Sequence, residues 1–287
     1  MMISVIIPSY NSGYTLDKLL HSLFSNQDKG FEAIVVDDCS VDDTCIIQKK
    51  YDVNYIRLDK NMGPAVCRNR GARSARGDIL AFTDSDCRVD RNWIKNIKKH
   101  FTCESSDALM GKLIIDRSDY LGDSISALGF PAGGSIGFEK IWRVDKKGYA
   151  GSLSSCNFAV AKKIFNDVRG FDETFPYAGG EDSFLAYSLV QSGYKIKYCP
   201  DVMVHHEARN SLKGYISWQF KRGISSYIFS SKIKKKSEFM SLRLWSISNV
   251  LRNNLADKKL PLVFSLLVLG YCTQILGFLY ERNRNRN

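Results

Sequence analysis

Short apolar runs alternate with stretches of helical apolar spacing along the first hundred or so residues of the chain. The apolar runs predict buried strands at residues 3–8, 32–36, 53–58 and 79–83. Between them, apolar residues that recur every three or four positions predict helices at residues 15–24, 41–50, 64–75 and 93–101. Strands that alternate with helices predict a largely parallel sheet with helices on both of its faces.

The second half of the chain has a less regular pattern. It predicts strands at residues 156–161, 195–198 and 202–206 and a helix at residues 180–193. Residues 118–152 are rich in Gly and Ser with scattered aromatic residues, which predicts loops that shape a pocket. Residues 211–255 carry long amphipathic patterns in which aromatic residues alternate with Lys and Arg.

Two acidic motifs each come directly after a predicted strand. They are Asp37-Asp38 and Asp84-Ser85-Asp86. Ligands of open α/β sheets bind outside the carboxyl ends of the strands, and carboxylate oxygens suit Mg²⁺ and Mn²⁺. We therefore predict a nucleotide-diphosphate site that uses a divalent cation, with a solvated surface turn as the alternative. Neither a G-x-G-x-x-G motif nor a Walker A motif follows the first predicted strand, which disfavours dinucleotide-binding and P-loop enzymes.

Positive charge is concentrated at the C-terminal end of the chain. The formal net charge is +11, and residues 208–287 contain 15 of the 41 Lys and Arg but 3 of the 30 Asp and Glu. Within this region, residues 260–280 carry no charge, and a helix of that length covers roughly 30 Å, about one hydrocarbon core. We predict that this segment associates with an anionic membrane rather than with nucleic acid, with a buried core helix as the alternative.

Basic residues flank this apolar segment unequally. Those on its N-terminal side are Lys232, Lys234, Lys235, Lys236, Arg243, Arg252, Lys258 and Lys259, and those on its C-terminal side are Arg282, Arg284 and Arg286. The positive-inside rule therefore places the rest of the chain on the cytoplasmic face of the cell membrane. Whether the segment spans the membrane, re-enters it or lies on its surface stays open.

Six short motifs occur in order along the chain. They are Val5–Asn11, Val36–Thr44, Asn61–Asn69, Gly77–Asp86, Gly170–Phe175 and Gly180–Asp182. Together they resemble the family-2 glycosyltransferases. The resemblance implies a GT-A (Rossmann-like) α/β fold, with a mixed, mostly parallel sheet flanked by helices, and an enzyme that transfers sugar from a nucleotide-diphosphate sugar with inversion. We expect residues 1–110 to bind the donor, residues 111–210 to bind the acceptor and residues 211–287 to form a helical membrane-associating tail.

The resemblance also implies a set of donor-binding residues. They are Pro8, Tyr10, Asn11, Asp37, Asp38, Arg68, Arg70, Asp84, Ser85 and Asp86. Within this set, Asp38 is expected to accept hydrogen bonds from the base, and Arg68 or Arg70 to lie near the diphosphate. Asp84 is expected to approach the ribose and the metal, and Asp86 to bind the Mn²⁺ or Mg²⁺ that bridges the phosphates.

The resemblance further implies that Asp182 is the general base, supported by Glu181. An acceptor hydroxyl must lose its proton as it attacks, and one carboxylate within hydrogen-bond reach suffices. Asp182 lies at a predicted helix N-terminus, where the helix dipole favours a charged carboxylate, and plain helix capping is the alternative. His206 ends a predicted strand and is expected to complete the metal site of Asp86, with an ordinary surface histidine as the alternative.

The segment Gln219–Gly223 resembles the Q-x-x-R-W signature of processive family members, with Gly in place of Trp, which argues against processivity. A basic amphipathic helix on the membrane surface is the alternative. We therefore predict a metal-dependent, inverting glycosyltransferase that acts on a lipid-linked or glycan hydroxyl in envelope or exopolysaccharide synthesis. The rival classes are a polyprenyl-phosphate sugar synthase, a nucleotidyltransferase and a non-enzymatic basic scaffold.

Overall fold

The computed structural model describes residues 1–103, 106–128, 144–233 and 247–285. The strands are β1 (Ile3–Ser9), β2 (Phe31–Asp37), β3 (Asn54–Arg57), β4 (Ile79–Phe82), β5 (Cys87–Val89), β6 (Ala108–Ile115), β7 (Tyr149–Ala150), β8 (Phe158–Ala161) and β9 (Ile196–His206). The helices are α1 (Gly13–Phe24), α2 (Thr44–Ile47), α3 (Pro64–Ser74), α4 (Trp93–Cys103), α5 (Tyr120–Ala127), α6 (Lys162–Asp167), α7 (Glu181–Gln191), α8 (Leu212–Lys232) and α9 (Leu260–Arg284). Residues 247–254 are also helical.

All nine strands of the described residues belong to one mixed sheet. The strand order is β3-β2-β1-β4-β8-β6-β9-β5, and β7 pairs with β9 outside this order. The pairs β3–β2, β2–β1 and β1–β4 are parallel, so their carboxyl ends share one edge, whereas β8 is antiparallel to both of its neighbours. This arrangement confirms the expected mixed sheet. Strand β6 runs through residue 110, and the division between a donor half and an acceptor half at that residue stays a prediction.

Helices cover both faces of the sheet, which is why the central strands are apolar on both sides. In β1, Val5 and Ile7 pack in one cluster with Leu16 of α1 and Trp93 of α4. The intervening Ile6 packs on the opposite face, in a second cluster that includes residues of α3 and α7. We call the edge of the sheet at which Asp37-Asp38 follow β2 and Asp84-Ser85-Asp86 follow β4 the acidic edge. Two separate apolar layers, one on each face of the sheet, therefore hold the strands that end there.

The structure differs from the predicted elements in several places, and β5, β6, β7 and α6 form where the sequence pattern predicts no such element. The helix predicted at residues 41–50 is reduced to α2 and a 3₁₀ turn at Gln48–Lys50. The predicted loop at residues 118–152 is wrong for α5, whose first turn is capped by the Asp119 carboxylate accepting the Gly122 N–H at 2.7 Å; residues 129–143 of that prediction lie outside the described residues. The two predicted strands at residues 195–198 and 202–206 form the single strand β9.

A side chain from outside the strand supports the irregular middle of β9. The register of β9 against β6 shifts between Gly111, which pairs with Cys199, and Lys112, which pairs with Met203, so β9 has extra residues at this point. The Asn157 amide donates to the carbonyl oxygens of Lys112 at 2.9 Å and Val202 at 3.0 Å across this bulge. Asn157 thereby satisfies backbone groups that the sheet itself leaves without a strand partner.

Helices α8 and α9 run parallel, side by side, with their backbones in close contact. A Cβ atom placed on Gly223 of α8 would overlap the Gln274 carbonyl oxygen, and one placed on Gly277 of α9 would overlap the Phe220 carbonyl oxygen. Along the same contact, the Tyr215 hydroxyl donates to the Leu266 carbonyl oxygen at 2.7 Å. Among the described residues, α9 is the one helix that is long and apolar enough to cross a membrane by length and composition.

Candidate active site

Two buried carboxylates, Asp37 and Asp38, lie at the end of β2. Asp37 is fully buried and accepts hydrogen bonds from the Ser40 N–H at 2.9 Å and from the Tyr55 hydroxyl. Asp38 accepts the N–H groups of Met62 at 2.6 Å and Gly63 at 2.9 Å. Both carboxylates therefore hold the loops around the edge of the sheet, and the contact of Asp38 with a base stays a prediction.

The loop after β1 is fixed to the loop after β2. The Asn11 side-chain oxygen accepts the Val41 N–H at 2.9 Å, and the Asn11 N–H donates to the Ser40 hydroxyl at 2.9 Å. Asn11 has a positive φ of 48°, a conformation that Asn tolerates better than most residues. Pro8 is half-buried within β1, whereas Tyr10 is exposed at the rim of the edge. The Ser9 carbonyl oxygen accepts the Asp38 N–H at 2.8 Å, so the segment that contains these three residues runs beside Asp38.

Arg68 connects the acidic edge to helix α7. Its guanidinium donates to the Asp84 carboxylate at 2.7 Å and to the Glu181 carboxylate at 2.9 Å, and its side chain is 2% exposed. Burial alone would lower the pKa of Arg68, but the carboxylates of Asp84 and Glu181 outweigh it and raise that pKa. Arg70 lies two residues further along α3, on its exposed side. Of the two expected diphosphate-binding arginines, one is therefore enclosed by carboxylates and the other faces solvent.

Glu181 and Asp182 open helix α7 in different environments. Glu181 is buried and accepts the N–H groups of Gly179 at 2.7 Å and Gly180 at 2.9 Å in addition to Arg68. Asp182 is half-buried and accepts the Ser183 N–H at 2.7 Å. Glu181 is thus saturated by hydrogen bonds, and the structure leaves Asp182 as the carboxylate with spare acceptor capacity.

The pKa of Asp182 lies close to neutral pH. Burial, followed by the neighbouring Glu181 carboxylate, raises the pKa of Asp182 to about 7, against the opposing effects of the Ser183 N–H and of Arg68 and Arg222. The helix dipole favours a charged Asp182, but burial and the like charge of Glu181 have the larger effect on its pKa. A pKa close to the working pH is the one that favours proton transfer to a general base.

The pairing of β5 with β9 brings His206 to Asp86. The His206 Nε2 atom lies 3.3 Å from the Asp86 Oδ1 atom, and its Nδ1 atom lies 2.7 Å from the Glu207 carbonyl oxygen. Because that carbonyl requires a proton on Nδ1, the neutral ring turns the lone pair of Nε2 towards the carboxylate. A proton or a cation between His206 Nε2 and Asp86 Oδ1 would make their separation of 3.3 Å favourable.

The donor set at this position fits a divalent cation. Asp86, Cys87 and His206 place ligand atoms within 4.8 Å of one another, but Cys87 is buried and its thiol has a pKa raised well above the ordinary value by that burial. A carboxylate oxygen and an imidazole nitrogen remain, which Mn²⁺ accepts readily and Mg²⁺ less so. His205 points the other way, with its Nδ1 atom 3.4 Å from Asp116.

Two residues near the site, Trp218 and Arg209, lie outside the sequence motifs, and a third, Arg222, belongs to the segment that resembles the Q-x-x-R-W signature. Two guanidinium groups lie over the Trp218 ring of α8, with the Arg209 carbon Cζ at 5.4 Å and the Arg222 Cζ at 4.8 Å from its centroid. Burial lowers the pKa of Arg209, against the opposing charges of Asp86 and Asp84. The sequence signal is a cationic residue shortly after His206, followed by a Trp and an Arg at helical spacing.

Comparison with known proteins identifies related sequences along most of the chain. The description "Glycosyl transferase family 2" matches residues 4–168. The chain is 28% identical over 219 residues to the pre-mycofactocin glycosyltransferase of Mycobacterium tuberculosis, covering 75% of this chain and 44% of that protein. It is 26% identical over 211 residues to the O-antigen chain rhamnosyltransferase RfbN of Salmonella typhimurium, covering 72% of this chain and 66% of that protein. The chain thus spans less than half the length of the first relative.

Solved structures share the fold at low sequence identity. A mannosyltransferase of Pyrobaculum calidifontis in complex with GDP-Man and Mn²⁺ matches with a TM-score of 0.62 and 18% identity, covering 97% of this chain and 86% of that one. Staphylococcus aureus TarS in complex with UDP matches with a TM-score of 0.56 and 19% identity, covering 99% and 92%. These similarities confirm the expected GT-A architecture of a mixed sheet flanked by helices.

Proposed function

The chain belongs to glycosyl transferase family 2, and we propose that it transfers a sugar from a nucleotide-diphosphate sugar to a lipid-linked or glycan hydroxyl with inversion. One observation carries this proposal. Arg68 links Asp84, at the acidic edge that contains Asp86, to Glu181, the neighbour of Asp182. We assign the cation to Asp86 and the base to Asp182, whose pKa is about 7; each is within two residues of a carboxylate that pairs with Arg68.

The reaction requires one bond to form and one to break at the anomeric carbon. The acceptor oxygen attacks that carbon, the bond to the diphosphate oxygen breaks, and the acceptor proton passes to the Asp182 carboxylate. A positioned base of this kind contributes about 10²–10⁴-fold to the rate. A single displacement inverts the configuration, and the nucleoside diphosphate leaves with the bonding electrons.

The leaving diphosphate carries charge that the site must balance. A divalent cation held by Asp86 and His206 would neutralise phosphate oxygens as the bond breaks. Arg209 and Arg222 add positive charge beside Trp218. Arg68 is already paired with two carboxylates, so we assign it the role of positioning Asp84 and Glu181 rather than of contacting the diphosphate.

The related proteins support the substrate class. The Pyrobaculum structure contains GDP-Man and Mn²⁺, the Staphylococcus structure contains UDP, and the Salmonella relative is named for O-antigen chains. We therefore place this enzyme in cell-surface polysaccharide or glycan synthesis. We also place it on the cytoplasmic face of the membrane, held there through its C-terminal region.

A panel of nucleotide sugars tests this function. The purified protein is incubated with UDP-, GDP- and dTDP-sugars and Mn²⁺, and release of the nucleoside diphosphate is followed with and without glycan acceptors. We expect release from one donor class, and an Asp182→Asn variant that still binds the nucleotide but transfers at least about 10²-fold more slowly. Release of pyrophosphate would instead identify a nucleotidyltransferase, and failure to bind any nucleotide would refute the proposal.

A further inference from the structure

Helix α9 is attached to the protein along one face. The buried residues of this face recur every three or four positions; they are Val263, Leu266, Gly270, Thr273, Gly277 and Glu281. At its N-terminal end, Leu262 and Leu266 belong to an apolar cluster with Ile125 of α5 and Tyr215 of α8. Further along, the Phe278 ring packs edge-on against Tyr227 of α8, with ring centroids 5.3 Å apart. The contact with α8 therefore runs along most of the length of α9.

The opposite face of α9 is apolar and open. We call it the outer face; its large side chains, each at least 36% exposed, are Phe264, Val268, Leu269, Ile275, Leu276, Leu279 and Tyr280. Exposed Cys272 lies among them. A contiguous apolar stripe of this length marks an interaction site rather than ordinary surface.

The packing of α8 excludes a span of the hydrocarbon core by α9 in this arrangement. Helix α8 is parallel to α9 and carries the exposed cations Lys213 and Lys221. On its other side α8 is fixed to the catalytic region by an ion pair between Lys232 and Asp172 at 2.8 Å and by Phe229, whose ring packs edge-on against Phe184. If α9 crossed the membrane, it would carry these charges of α8 into lipid, which is unfavourable.

Cations at both ends of α9 match an anionic lipid surface. Lys258 precedes the helix, and Arg282 and Arg284 lie in its last turn, all three exposed. A helix that lies flat brings both ends to the head groups of one leaflet, where each cation gains from the negative surface potential. A spanning helix would place Arg282 and Arg284 on the far side instead. The charge at both ends therefore favours a lipid surface over an apolar protein partner.

We infer that α9 lies flat in the interface of an anionic bilayer, with its outer face in the acyl boundary and α8 between the lipid and the active site. This inference rests on the proposed membrane association and specifies its geometry. Helix α8 also contributes Trp218 and Arg222 to the site, and Arg222 lies beside Gly179, the residue that precedes the α7 N-terminus by two positions. A lipid-linked acceptor in the same leaflet would then approach Asp182 along the membrane surface.

Binding to vesicles tests which face contacts lipid. Full-length protein is sedimented with vesicles of phosphatidylcholine containing phosphatidylglycerol, and with pure phosphatidylcholine as the neutral reference. We expect at least tenfold weaker partitioning for Ile275→Glu, on the outer face, and unchanged partitioning for Val41→Glu, an apolar position outside α9 that is more exposed (87% against 57%). Asp182→Asn should bind vesicles like the wild type, so that loss of catalysis and loss of membrane binding are separable. Equal binding by Ile275→Glu and the wild type would overturn the inference.

Thiol labelling distinguishes a flat helix from a spanning one. A membrane-impermeant maleimide is added to vesicle-bound protein, and labelled peptides are quantified. We expect vesicles to reduce labelling of Cys272 at least tenfold and to leave the exposed Cys103 unchanged. In an Arg284→Cys variant, the new thiol should react fully without detergent. If the new thiol reacts only after detergent is added, α9 spans the bilayer. If Cys272 is protected in the absence of vesicles and the protein is a dimer, a second copy of the chain covers the outer face. Either result overturns the inference.

Discussion

Replacement of Arg68 by Met tests the link between the two sides of the site. Met retains an unbranched apolar stem but lacks the guanidinium group, whose carbon lies 5.3 Å from the Phe171 ring centroid. The substitution removes both ion pairs and leaves the buried Glu181 carboxylate without its cation. Breaking a buried pair by removing one partner typically costs about 3–5 kcal/mol of unfolding free energy.

The structure places the expected value near the lower end of that range. Glu181 keeps two backbone hydrogen bonds, from Gly179 and Gly180, and the Asp84 side chain is 29% exposed and can be hydrated. We therefore expect Arg68→Met to lower the free energy of unfolding by about 3 kcal/mol. Urea denaturation followed by tryptophan fluorescence measures this loss against the wild type.

A pair with an exposed arginine provides the control. Arg76 bonds Glu32 at 2.9 Å with side chains 77% and 9% exposed, and Glu32 keeps hydrogen bonds from the Ser4 hydroxyl and the Arg76 N–H without that guanidinium. Arg76→Met should therefore cost about 0–1 kcal/mol. The double variant Arg68→Met/Glu181→Gln should recover part of the loss, because it removes the uncompensated charge. If Arg68→Met is no more destabilising than Arg76→Met, the buried ion pairs do not hold the two sides of the site together.

Three further outcomes follow from the site and from the α8–α9 contact. Because Asp182 has a pKa of about 7 and must be unprotonated to act, transfer should rise with pH through that value and fall roughly tenfold between the plateau and pH 6; a flat profile from pH 5 to 8 would contradict the assignment. Asp86→Ala should abolish Mn²⁺-dependent nucleotide binding in calorimetry without lowering the melting temperature, whereas full wild-type activity in EDTA would exclude a metal role. Gly223→Ala should destabilise the protein by about 1–3 kcal/mol through overlap with the Gln274 carbonyl. Gly151→Ala, where a Cβ meets nothing within 4 Å, is its control and should have little effect.

The sequence predicts the first strands and their acidic ends well because those strands are buried on both faces. Continuous apolar runs such as the one that ends at Phe82 are visible without any knowledge of the partners. Strand β6 is less visible because Gly111 interrupts its apolar run. In the structure a side chain at position 111 would overlap the Val202 carbonyl, so the bulge requires glycine there. The same glycine interrupts the apolar pattern by which the strand could have been predicted.

Long-range contacts explain what the sequence does not reveal about the site. The motifs identify Arg68 and Asp182 as candidates, but the ion pair of Arg68 with Glu181 joins residues 113 positions apart, and the pKa of Asp182 is raised first by burial and then by Glu181. Likewise, Gly in place of the Trp of processive relatives predicts lost processivity from sequence. The structure adds that the backbone of α9 lies so close to Gly223 that any side chain at this position would overlap it. No local pattern in the sequence indicates this contact.

The nature of the products tests the proposed reaction most directly. The donor identified by the nucleotide-sugar panel is supplied with its acceptor, the released nucleotide is separated by chromatography, and the anomeric configuration of the new glycosidic bond is determined by NMR. We expect a nucleoside diphosphate and an inverted anomeric centre, both lost together in Asp182→Asn. Pyrophosphate as the leaving group, or a product that retains the configuration of the donor, would contradict a single displacement assisted by Asp182.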